Sequence, residues 1–147
     1  MADPPSGALG LLLFVGSSLF YLLAGILVLL AAALGLEVEN HAVYVLWFFG
    51  FVVMLAFGVS LRIVSTVTGT APPSMRAQLA ELALLHAGTL LVAVPQLLGH
   101  HAPGSGSLVG LVSLAAAVLL HSWLLGSRAK MRDAGQPNMV FRARPRT

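Results

Sequence analysis

Along the chain, apolar positions run in four long blocks instead of alternating with polar ones. Ala8 to Leu36, Ala42 to Leu61, Ala77 to Leu98 and Leu108 to Leu125 are almost unbroken, the third containing Glu81 and His86. Soluble helices show an apolar stripe every three to four residues, whereas blocks of about 20 residues without charges match the hydrocarbon thickness of a bilayer. Between the blocks lie breaker-rich turns: Glu37-Val38-Glu39-Asn40, Thr68-Gly69-Thr70-Ala71-Pro72-Pro73-Ser74, and Gly99-His100-His101-Ala102-Pro103-Gly104-Ser105-Gly106. The pattern predicts an all-α protein, an integral membrane up-down-up-down four-helix bundle in one domain over residues 1–127. Helices are expected at about 8–36, 42–66, 75–98 and 107–126, with residues 128–147 forming a basic, disordered tail.

Composition removes the soluble alternative. Of 147 residues, 58% are hydrophobic and 9% charged, too few charges to cover a water-exposed surface, so the lipid bilayer is the expected partner. The absence of cysteine excludes disulfides, thiolate metal sites and covalent haem attachment. The net charge of +3 does not point to nucleic acid, because all eight basic residues fall on one side of the predicted topology. Arg62 and Arg76 flank the second loop, and Arg128, Lys130, Arg132, Arg142, Arg144 and Arg146 follow the fourth helix. The positive-inside bias therefore predicts a multi-pass cell-membrane protein with both termini cytoplasmic. Met-Ala-Asp-Pro-Pro carries no basic residue and no evident cleavage site ahead of the first block, so the first helix is expected to stay in place.

Polar groups at membrane depth are costly and call for a partner or a role. Arg62 and Glu81 lie equally far from the Thr70-to-Pro73 turn. A salt bridge between them is the simplest reading, with a cofactor-propionate contact through Arg62 or a proton path through Glu81 as alternatives. His86 and His121 flank the Pro103-Gly104 turn at similar distances, about 14 helical residues or roughly 20 Å below the outer surface. They are expected in one layer, beside the stripes Leu82, His86, Thr89, Ala93 and Gly110, Ser113, Ala117, His121. Two neutral imidazoles at one depth suit an iron, a copper or the faces of a haem; hydrogen-bonded core histidines are the plainer alternative. At the outer surface His41, His100 and His101, near Glu37 and Glu39, form a second candidate metal cluster suited to Cu(II) or Zn(II). Gly16, Ser17, Ser18, Tyr21, Ala24 and Gly25 make a small and polar face on helix one, expected to be a packing surface. No GxSxG, Walker or HExxH motif is present, and stand-alone catalysis is not expected.

The run His41-Ala42, Phe49-Gly50-Phe51, Gly58, Arg62, Thr68-Gly69 and Pro72 resembles the NnrS family of haem- and copper-containing membrane proteins linked to nitric oxide responses. The chain looks like that family's last four helices, and bears a more distant likeness to haem-copper oxidase subunit I. The resemblance implies that His41 serves a haem or copper centre. Joined to the depth of His86 and His121, it sets the leading expectation: a b-type haem protein, with copper as a second metal, in redox or nitric-oxide-related physiology. Arg62 would then neutralise a haem propionate. The alternative is a non-redox accessory or assembly subunit of a larger membrane complex or a homo-oligomer. Proton or small-ion transport along Glu81, His86 and His121 is the third reading.

Overall fold

In the computed structural model, which describes residues 6–38, 40–99 and 104–135, the chain forms four long helices. We label them α1 (Ser6–Ala33), α2 (Asn40–Thr68), α3 (Met75–Leu97) and α4 (Ser105–Gly135). No strand occurs among the described residues. Each helix contains an apolar segment long enough to cross a bilayer: Ala8–Ala33, Asn40–Thr68, Met75–Leu97 and Gly106–Lys130. The protein is thus an all-α, multi-pass membrane protein. Its outer surface is as apolar as its interior, with Leu12, Leu27, Val112 and Leu119 each more than 60% exposed. That distribution suits lipid and not water.

Turn chemistry sets the helix ends. Ser74 caps α3 by accepting a hydrogen bond from the Ala77 amide. Gly69 ends α2 in the left-handed conformation at φ 65°, returning its amide to Ser65 and Thr66 carbonyls. The fourth helix overruns its expected end at 126: it continues to Gly135, so the expected boundary of a disordered tail at 128 falls inside it. Within this extension Arg128 is buried and its guanidinium donates to the Ala71 carbonyl, tying α4 to the loop between α2 and α3. The remainder of the predicted tail lies outside the described residues.

The two most extensive contacts join α1 to α2 and α3 to α4, and α4 reaches α2 through its Met54–Thr68 part. α2 and α3 therefore form the centre, with α1 and α4 on opposite flanks. Close approach explains the pairing. A Cβ at Gly88 or Gly110 would meet the other residue's carbonyl oxygen at about 3 Å, so these two glycines bring the α3 and α4 backbones together. In α2, residues Leu46–Val53 form a π-helical segment, a geometry that widens the turn. Gly50 lies within it, and a Cβ there would come within 2.4 Å of the Tyr21 ring. The missing side chain seats Tyr21 of α1 against α2. The core around it comprises Phe14, Tyr21, Leu46, Met54, Leu82, Leu85 and Leu114 among others.

Candidate functional site: two polar sites on one helix

The intramembrane polar residues separate into two sites that share α3. The first lies between α1 and α3. His86 contacts the Tyr21 hydroxyl through Nδ1 at 2.8 Å and Ser17 Oγ through Nε2 at 3.1 Å. Ser17 and Tyr21 stand one helical turn apart on α1, so both hydroxyls reach one imidazole. Tyr21 is 1% exposed, whereas Ser17 and His86 are half-buried. A cleft of about 330 Å³ opens beside them, lined by Leu12, Leu13, Gly16, Ser17, Phe20 and His86. This is the open site.

The second lies among α2, α3 and α4 and is closed. Glu81 is fully buried, and its Oε1 is 2.6 Å from His121 Nδ1. His121 Nε2 in turn lies 2.9 Å from Ser60 Oγ, and the Phe57 ring stacks on the imidazole with centroids 3.8 Å apart and planes 11° apart. Proton positions follow from counting hydrogens. Ser60 has one hydroxyl hydrogen and donates it to the Phe57 carbonyl at 3.0 Å. Nε2 must then be the donor to Ser60 Oγ, and a single proton lies between Nδ1 and the Glu81 carboxyl. Neutral acid with neutral imidazole, or carboxylate with imidazolium, both leave the buried site with no net charge. That avoids the several-kcal/mol desolvation cost of an isolated ion. The second Glu81 oxygen, Oε2, is buried and has no hydrogen-bond partner.

The inner face of α3 carries further polar groups toward both ends. Gln78 donates to the Pro73 carbonyl at 2.7 Å. Thr89 is fully buried with Oγ1 unpartnered, and the Gln96 Oε1 is buried and unpartnered as well. Gln78, Glu81, Thr89 and Gln96 span 19 residues of one helix, or about 27 Å of rise.

These positions revise several expectations. Glu81 pairs with His121 and not with Arg62, which is exposed and forms no ion pair among the described residues. Leu61, the residue before Arg62, is the buried one on that turn. His86 and His121 do not converge either: one turns to α1, the other is enclosed by Ser60, Phe57 and Glu81. Helix α3 ends at Leu97 and α4 begins at Ser105, so the midpoint of the connection is position 101. Position 101 is equidistant from Glu81 and His121, which makes Glu81 the residue level with His121. Both ring nitrogens of each histidine face protein partners. The pair therefore does not fit a bis-histidine haem, whose ligands must each turn a free nitrogen lone pair to one metal. His41 is exposed at the start of α2, on a different part of the fold. Its expected companions His100, His101 and Glu39 lie outside the described residues, and among the described residues no three His, Cys, Asp or Glu side chains gather as a metal site.

The partners Ser17, Tyr21, Phe57 and Ser60 escaped the sequence reading as chemistry. The available signal was the Ser17–Tyr21 spacing and the isolated hydroxyl of Ser60 inside an apolar block. No family model, no curated protein and no solved structure matches the chain.

Proposed function

We propose that the chain is a proton-handling membrane protein, in which Glu81 is the group that exchanges the proton and His121 and Ser60 relay it. One observation carries this reading: a fully buried carboxyl lies 2.6 Å from an imidazole nitrogen inside a bundle of membrane-spanning helices. Ionisable groups at such depth are expensive, and proton relays are a principal use of them. The unpartnered Oε2 of Glu81, Oγ1 of Thr89 and Oε1 of Gln96 support it. Buried acceptors of this kind are ordinarily satisfied by internal water, and water between them would continue the relay along α3. The basic residues Arg62, Arg76, Arg128 and Lys130 orient the protein with its α2–α3 loop and both termini in the cytoplasm. The Glu81 pair then lies nearer the cytoplasmic end of α3.

The test is proton uptake by proteoliposomes under a potassium-diffusion potential, followed with a pH-sensitive dye. Flux above that of protein-free vesicles is expected, and Glu81→Gln should abolish it while retaining the helical circular dichroism. Flux equal to that of empty vesicles, or unchanged in Glu81→Gln, overturns the proposal. An absorption spectrum of the same preparation separates it from the haem reading: a Soret band would mean that a metal takes imidazole nitrogens from the hydroxyl and carboxyl groups on which the relay depends.

A further inference from the structure

The open site has one hydrogen more than its contacts use. Tyr21 and Ser17 bring one hydroxyl hydrogen each and a neutral His86 brings one, yet only two hydrogen bonds join the three groups. Burial decides which hydrogen is left over. The Tyr21 side chain is 1% exposed and its hydroxyl has no acceptor but His86 Nδ1, so its hydrogen points there. Nε2 then carries the ring hydrogen and donates it to Ser17 Oγ. The Ser17 hydroxyl hydrogen remains without an acceptor. Ser18, Ser60, Ser113, Ser122 and Ser127 differ, each donating to a carbonyl three or four residues earlier in its helix.

Ser17 is also one of the residues lining the 330 Å³ cleft, whose mouth is formed by the exposed apolar side chains of Leu12 and Phe20. A volume near 300 Å³ is the lower end of the range for small-molecule sites, and an apolar wall with one oriented donor is their usual composition. We infer that this cleft binds a neutral, lipid-soluble carbonyl compound of the quinone type, with the carbonyl oxygen accepting from Ser17 and the ring lying against Gly16, Phe20 and His86. Depth selects this class. His86 is the twelfth of the 23 residues of α3, and therefore close to the middle of the bilayer. The ester carbonyls and headgroups of phospholipids stay at the interface, about 15 Å away.

Gly16 supplies the decisive variant, because it lines the cleft and a Cβ there meets nothing within 4 Å, so Gly16→Leu is expected to fill the cleft. Detergent-purified protein is dialysed to equilibrium against a short-tailed benzoquinone, with protein-free micelles as the blank. Saturable binding of about one quinone per chain is expected. Gly16→Leu should abolish it with an unchanged thermal melt, and Ser17→Ala should weaken it about tenfold. A carbonyl-free alkylbenzene of the same shape should bind no better to wild type than to Ser17→Ala. Quinone uptake no greater than that of the blank, or indifferent to Gly16→Leu, overturns the inference. So does displacement by added diacyl phospholipid, which would assign the cleft to the lipid ester. Glu81→Gln should leave quinone binding intact, so this result and the proton-flux result fail independently.

Discussion

The open and closed sites use the same chemistry, an imidazole between a hydroxyl and a second oxygen acid, yet they differ in what the bundle does with them. At the closed site every direction around His121 is filled: Glu81 at one nitrogen, Ser60 at the other, Phe57 on the ring face. At the open site His86 is half-buried and its second hydroxyl, Ser17, borders a cleft. The difference follows from position. α3 is central, and α4 lies along it at the Gly88–Gly110 approach, whereas α1 sits on a flank and packs mainly on α2. A polar group enclosed where α2, α3 and α4 meet must be satisfied internally; one in the sparser α1–α3 contact can present a hydrogen outward. Enclosure makes the first site a place to hold a proton, and exposure makes the second a place to meet a ligand.

Breaking the closed site should cost most. Glu81→Leu leaves His121 buried with one partner, and a loss of about 3 kcal/mol is expected in reversible unfolding from mixed micelles. The double variant Glu81→Leu/His121→Leu should recover part of that loss, because neither unpaired group remains; equal losses in the single and double variants would remove the coupling between them. Next comes the seat of Tyr21. Gly50→Ala forces the ring away from α2, with an expected destabilisation of about 2 kcal/mol and a displaced His86 imidazole resonance in the NMR spectrum. Tyr21→Phe removes only the hydroxyl from the open site and should cost about 1 kcal/mol, measured in the same unfolding assay. Ser60→Ala takes away the acceptor of the His121 Nε2 hydrogen and is expected to cost a similar amount, about 1 kcal/mol. Should Tyr21→Phe exceed Glu81→Leu, the ranking of closed over open would be wrong.

The span count was legible in the sequence because lipid imposes length and apolarity on every helix, and the four blocks and their turns leave little freedom. Glu81, His86 and His121 were legible as the residues of interest for the same reason, being polar where hydrocarbon is expected. Their partners were not. Pairing depends on the rotation of each helix about its axis, and spacing within one helix does not determine it against another. Arg62 illustrates this: it was expected to face Glu81, and its side chain is exposed. A shift of two to three positions in the centre of the α3–α4 connection likewise exchanged His86 for Glu81 opposite His121. The uncharged segment Leu46–Val53 gave no hint of its π-helical geometry, which follows from packing that the composition does not encode.

α3 carries Glu81 and His86 five residues apart, a separation of about 140° around the axis and about 7.5 Å along it. Both sites are thus mounted on one shaft. One rigid helix therefore holds the two imidazole sites at a fixed spacing and turns them to different neighbours, His86 toward α1 and Glu81 toward α4.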